Sequence, residues 1–309
     1  MTSTALRAER LSLGYGEQTI VHDLDLTVPE GRITAIVGPN GCGKSTLLRG
    51  LSRLLRPQDG RVMLGDHDVH RMPTKQVARS MALLPQHPVV PEGITVGELV
   101  ARGRHPHHGL LRRWTREDDE VVATSLELTG TTHLVGREVA ELSGGQRQRV
   151  WIAMVLAQRT DLLLLDEPTS FLDIAHQVEV LDLVRDLSVD RGTTVVMVLH
   201  DLAMAARYAD HLVAMRGGRV VAEGSPREVV TAETVCEVFG ITCRVLWQEA
   251  TGDLSVIPLG RHRPVGHLLG TAGSPRLAPE AVGLDAGTRE QAEADGLDAG
   301  AREQAEVVR

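Results

Sequence analysis

Eight consecutive residues, Gly38-Pro39-Asn40-Gly41-Cys42-Gly43-Lys44-Ser45, set three glycines, an ammonium and a hydroxyl on one short stretch, with Thr46 directly after. The pattern is G-x-x-x-x-G-K-[ST]. Glycines let backbone N–H groups turn inward around phosphate oxygens. A helix beginning near Lys44 points its positive end at the same place. Lys44 is then expected to reach the β- and γ-phosphates of a nucleoside triphosphate, and the Ser45 hydroxyl to ligate Mg²⁺. The competing reading is a Gly-rich turn that only caps a helix.

A second stretch, Leu162-Leu163-Leu164-Leu165-Asp166-Glu167, is an apolar run ending in two acids. Asp166 at a strand tip suits Mg²⁺, held directly or through water opposite Ser45. Glu167 is placed to polarise an attacking water. Phosphoryl transfer asks for in-line positioning and charge stabilisation more than for covalent chemistry. Desolvating two adjacent carboxylates is costly, so they need a reason to sit there. A solvated strand end remains the alternative for this stretch taken alone.

These side chains need a frame. Leu6 to Val28 reads as two alternating strands around a turn at Gly14-Tyr15-Gly16-Glu17. Ile33 to Val37 is a short buried strand entering the glycine stretch. Leu47, Leu48, Leu51 and Leu55 then recur at helical spacing, predicting a helix over 44–55. Met81 to Leu84 is another strand. From Thr95 to Ala140 the pattern turns helical, with Thr115 as a cap before Glu117, Asp118, Asp119 and Glu120, and Gly130 as a stop. Gln146 to Gln158 reads as a helix, and Ile174, Val178, Leu181 and Val184 mark another. Leu162–Leu165 and Thr193–Leu199 are continuous apolar runs, as expected of parallel strands covered on both faces. Later strands are read at Arg219–Ala222 and Cys243–Trp247, and a short helix within Glu228–Val238. Strands alternating with helices predict a parallel α/β core.

Leu142-Ser143-Gly144-Gly145-Gln146 decides the class. It lies in order between the glycine stretch and Leu165-Asp166-Glu167-Pro168-Thr169-Ser170, and with them the chain resembles an ABC-transporter nucleotide-binding domain over about residues 5–262. The resemblance implies a P-loop NTPase with a RecA-like core, an N-terminal antiparallel β subdomain and an inserted α-helical subdomain over about 87–145. It implies ATP hydrolysis with Mg²⁺. Tyr15 matches the aromatic that stacks on adenine. Gln86 matches the Q-loop glutamine that approaches Mg²⁺ and senses a membrane partner, Asp173 the D-loop, and His200 the switch histidine near the γ-phosphate. The phosphate loop of one subunit would face Ser143, Gly144 and Gly145 of a second copy, where small residues at a helix N-terminus let N–H groups approach a triphosphate. One complete set of motifs predicts a homodimer with two competent sites.

Within the family the chain is similar to the ATPase subunits of bacterial iron–siderophore importers, with haem and cobalamin importers as relatives. The stretches that carry this are 99–107, 169–177 and 200–210, from Leu99-Val100-Ala101 to Tyr208-Ala209-Asp210. The partners implied are transmembrane permease subunits and, through them, an extracytoplasmic substrate-binding protein. The cargo never touches this subunit. His105, His107 and His108 invite a metal-site reading, against which stand the interrupting Pro106 and the lack of an evident carboxylate partner.

Composition removes other classes. Net charge is −8, so no basic footprint for nucleic acid is present. Seven aromatic residues are too few for stacking platforms. Lys44 and Lys75 are the only lysines. Asn40 is the only asparagine, which excludes the N-K-x-D guanine reader of GTPases. A DNA-repair type ATPase needs a long coiled coil between Gln86 and Leu142, and a ribosome-acting type needs two motif sets. A regulator without turnover would be expected to lack Glu167 or His200. Cys42, Cys236 and Cys243 make no C-x-x-C pair, which fits a reducing cytoplasm. No apolar run approaches the about 20 residues of a membrane span, so the chain is expected at the cytoplasmic face of the membrane as a peripheral subunit. Residues 263–309, rich in Gly, Pro, Ala and acids, repeat the stretch from Gly283 at Gly296 and read as a disordered acidic tail.

Overall fold

The computed structural model describes residues 6–108, 114–170 and 172–260. The acidic tail with its repeat, and Phe171 beside the D-loop, lie outside the described residues. The chain opens with β1 (Leu6–Tyr15) and β2 (Gln18–Thr27), then β3 (Ile33–Val37), α1 (Lys44–Leu51), β4 (Asp59–Leu64) and β5 (His67–Asp68). There follow α2 (Thr74–Ser80), β6 (Met81–Leu84), α3 (Val96–Ala101), a 3-10 turn (Arg102–His107), α4 (Arg116–Leu128) and α5 (Gly144–Ala157). The second half holds β7 (Leu162–Asp166), α6 (Ile174–Arg191), β8 (Thr194–Val198), α7 (Leu202–Tyr208), β9 (His211–Arg216) and β10 (Arg219–Gly224). It ends with α8 (Pro226–Val229), α9 (Ala232–Phe239) and the hairpin β11 (Cys243–Trp247) and β12 (Leu254–Pro258).

The central sheet runs β10-β9-β3-β8-β7-β6. All its neighbours are parallel except β9 with β10. Successive strand residues face opposite sides, and here both sides are covered. Ile33, Ala35, Leu163, Leu165, Val195 and Met197 pack into one apolar cluster with α5 and α6. Ile36, Leu162, Leu164, Val196 and Val198 pack into the other with α1 and the β1-β2-β4-β5 sheet. That double burial is why these strands are apolar throughout rather than alternating. The antiparallel β1–β2 sheet does alternate, because its outer face meets solvent.

Two helices differ from their expected extents. α1 stops at Leu51 rather than Leu55. Arg53 takes φ 69°, and the Leu55 N–H closes back on the Arg49 carbonyl at 3.0 Å, an αL stop that still lets Leu55 pack. Beyond Ser225 there are two helices, because Thr231 Oγ1 accepts from the Thr234 N–H at 3.1 Å and starts α9 afresh. β9 had not been expected, although its apolar run Leu212–Met215 sits beside β3 at the middle of the sheet.

In the helical region Asp118 serves more than the α4 dipole. It closes a capping box with Thr115 and accepts from Arg104 Nε at 2.9 Å. Arg104 also reaches the Ala157 carbonyl at 2.9 Å, so one buried ion pair joins the 3-10 turn, the start of α4 and the end of α5. The expected lack of a carboxylate near the histidine cluster is corrected here: His108 Nε2 lies 3.3 Å from Asp118 Oδ2. His107 Nε2 lies 2.7 Å from the Gln158 carbonyl. Among the described residues no helix is long and apolar enough to cross a membrane.

Candidate functional site

Four parallel strands end on the same edge of the sheet, and the loops that follow them build one cleft, as expected at the carboxyl ends of an open α/β sheet. β3 feeds the glycine loop, β6 feeds Gln86, β7 ends in Asp166 and Glu167, and β8 leads to His200. The cleft encloses about 560 Å³ and is lined by Tyr15, Ile20, Asn40, Gly41, Gly43, Lys44, Ser45, Thr46, Gln86, Glu167 and His200.

The loop's shape depends on glycine at two points. Gly38 has φ 152°, and a Cβ there would stand 2.3 Å from the Met215 carbonyl oxygen. Gly43, at φ 104°, turns the chain into α1. Gly38, Pro39 and Cys42 shape the loop without lining the cleft. Gly38 and Pro39 accept from Lys44 Nζ at 2.8 and 3.0 Å, which holds a buried ammonium in place. Cys42 is buried, and its burial pushes the thiol up from its ordinary value, with Lys44 pulling the other way. The thiol is therefore shielded rather than reactive.

Ser45 Oγ donates to Asp166 Oδ1 at 2.9 Å across a sequence separation of 121 residues. Asp166 is only 3% exposed. Burial pushes its carboxyl up and the Glu167 charge adds to this, while Ser45, Arg49 and Lys44 oppose it. Two oxygen donors of this kind, one of them anionic and desolvated, form a donor set suited to a hard divalent cation such as Mg²⁺.

Glu167 has φ 52°, a left-handed conformation that a non-glycine residue adopts at a cost of about 1–3 kcal/mol. The turn lifts its carboxylate off the strand axis into the cleft. His200 Nε2 lies 2.6 Å from Oε1. Gln86 Nε2 and Ser170 Oγ donate to Oε2 at 2.6 and 2.8 Å. Burial raises this carboxyl, but the bonds from Ser170, His200 and Gln86 and the charge on His200 outweigh it and hold it below the ordinary glutamate range. Three loops thus converge on one carboxylate.

Tyr15 is 47% exposed at the mouth, its hydroxyl held by Arg49 Nη1 at 3.0 Å. Leu142, Ser143, Gly144, Gly145 and Gln146, with Asp173, do not line this cleft. Ser143 caps α5 in a capping box with Gln146, leaving Ser143 and Gly144 exposed at the helix N-terminus. Asp173 caps α6 by accepting from the His176 N–H at 2.9 Å. Ser170 and Arg49 had been missed as site residues. Arg49 lies one helical turn beyond Ser45, which was an available signal; the Ser170–Glu167 contact depends on how that loop folds.

Fold and cleft define a P-loop nucleotide triphosphatase built on a parallel sheet. Residues 21–170 match the ABC transporter family model. The chain is 51% identical over 259 residues to the ferric enterobactin transport ATP-binding protein FepC of Escherichia coli (strain K12), covering 84% of this chain and 96% of that one. It is 47% identical over 247 residues to the iron(3+)-hydroxamate import ATP-binding protein FhuC of Bacillus subtilis (strain 168), covering 80% and 92%. Among solved structures it superposes on a metal-chelate type ABC transporter in an inward-facing conformation with TM-score 0.72 and 30% identity, covering 83% and 98%. A dimeric bacterial ABC transporter cassette gives TM-score 0.65 and 25% identity, covering 72% and 99%. The chain belongs to the ABC transporter family and is an ATP-binding ATPase of that family.

Proposed function

We propose that this chain powers import of an iron–siderophore complex through a separate membrane permease, as a peripheral subunit on the cytoplasmic face. The observation that carries the site reading is the convergence of Gln86, Ser170 and His200 on Glu167, beside the Ser45–Asp166 pair. The cargo class is supported by the iron-siderophore relatives. The ATPase domain is taken as residues 5–262, with the helical subdomain over about 87–145.

In this reading the glycine-loop N–H groups and Lys44 hold the triphosphate, and Tyr15 stacks on the adenine. Ser45, Asp166 and Gln86 would hold Mg²⁺, which when bound would neutralise charge on the phosphates. Glu167 orients and polarises the attacking water, and His200 stands near the γ-phosphate. Both Glu167 oxygens are engaged and its carboxyl is held low, which makes a weak base. Turnover therefore requires at least one of those bonds to give way, so that an oxygen faces the water. The exposed N-terminus of α5, with Leu142, Ser143, Gly144, Gly145 and Gln146, is read as closing the cleft of a second copy. Asp173 runs alongside it. ATP would hold the homodimer shut and hydrolysis would release it, with the permease following that motion. A substrate-binding protein delivers the cargo to the permease from outside.

The test is uptake of labelled iron from ferric siderophores by iron-starved cells carrying either the native chain or Glu167→Gln as the sole such ATPase. Loss of iron uptake in the variant, with haem and cobalamin uptake intact, is the expected result. Unchanged iron uptake would discard the cargo. The purified variant is expected to bind ATP, form a stable dimer and turn over about 10²–10⁴-fold more slowly.

A further inference from the structure

The exposed N-terminus of α5 is fastened to the loop that carries Glu167 in the same chain. Gln148, half-buried on α5, donates from Nε2 to the carbonyl of Pro168 at 2.9 Å. Pro168 directly follows Glu167 and is itself buried. The carbonyl of this buried proline is partly buried and needs a partner, and here the partner is a side chain of another element. The loop continues as a tied unit: the Ser170 N–H returns to the Glu167 carbonyl at 3.1 Å, and Gln177 Nε2 holds the Leu172 carbonyl at 3.0 Å. Gly145 packs on the same segment, since a Cβ there would stand 3.5 Å from the His176 ring and 3.6 Å from Leu172. Arg149 reaches Glu179 at 3.0 Å on α6.

We propose that Gln148 is a positioning residue for hydrolysis. Its amide ties the helix that carries Ser143 and Gly145 to the peptide that carries Glu167. Docking of that helix on a partner copy's nucleotide therefore sets the orientation of Glu167 in the chain's own cleft. Among the described residues, the Gln148 bond is the hydrogen bond from α5 to this loop that lies nearest to Glu167 along the backbone. Glu167 already sits in a costly left-handed conformation, so a small displacement at Pro168 is felt directly at its carboxylate. The inference rests on the homodimer reading above.

The test compares full-length wild-type chain with Gln148→Met, which keeps length but loses the donor, and Gln148→Lys, which restores a donor. ATP turnover is followed against ATP concentration, together with ATP-dependent dimerisation and melting temperature. Wild type is expected to dimerise with ATP and to show a Hill coefficient above one. Gln148→Met is expected to keep its half-saturating ATP concentration and melting temperature, to lose about tenfold in kcat, and to fall to a Hill coefficient of one. Gln148→Lys is expected to recover most of both. Wild-type kcat and cooperativity in Gln148→Met overturn the inference. So does a loss that tracks the melting temperature and is not rescued by Gln148→Lys. A wild type with neither dimer nor cooperativity sinks the dimeric reading, and the inference falls with it.

Discussion

Lys44 is one of only two lysines, and its ammonium is held by two loop carbonyls before any phosphate is considered. Such a buried, oriented charge costs no reorganisation when phosphate charge must be stabilised. Lys44→Ala is expected to lower turnover about hundredfold or more and to weaken ATP binding, as read by titration with a fluorescent nucleotide. Unchanged binding and turnover would remove Lys44 from the phosphate cradle. The residues of the glycine loop were legible in the sequence because one short contiguous pattern contains them. Asp166 and Glu167 were legible because two acids closed an apolar strand. Ser170 was not: its role comes from a hydrogen bond to Glu167 that depends on how the loop folds. Arg49 was missed although its place one helical turn beyond Ser45 was readable; only its bond to the Tyr15 hydroxyl needed the fold.

At the scale of elements, the buried Arg104–Asp118 pair decides how the 3-10 turn, α4 and α5 lock together. Burial disfavours the charged carboxyl, but bonds from Thr115 and Arg104 and the charge on His108 outweigh it, so Asp118 is held well below the usual aspartate range. Asp118→Asn leaves a buried guanidinium without its counter-charge and is expected to cost about 3 kcal/mol in urea denaturation at neutral pH. A depressed carboxyl contributes stability above its ordinary value of 3.8 and loses it as pH falls toward the folded value. The gap between wild type and variant should therefore narrow as the medium is acidified below that value. A gap that stays constant, or no gap at neutral pH, would show that the pair does not hold these elements. The Thr115 cap was readable from the run of acids after it. The partner of Asp118 was not, because Arg104 belongs to another element and its burial is set by packing.

For the molecule as a whole, the motifs and the cleft fall within residues 6–260. The FepC relative is matched over 96% of its own length by 259 residues of this chain. Removal of residues 264–309 is accordingly expected to leave ATP turnover within about twofold of wild type, since the motifs and the cleft all precede that terminal segment. Measured turnover that collapses on this truncation would give the tail a part in the ATPase. The sequence by itself determined the class of chemistry, the parallel α/β core and the identity of most cleft residues, since motif order and double-sided apolar strands are local properties. Only the tertiary structure decided that Ser45 donates directly to Asp166, that Glu167 stands in a left-handed turn with both oxygens engaged, and that Gln148 joins α5 to Pro168. Those contacts join distant parts of the chain, and their distances follow from strand order and helix packing, which no local spacing encodes.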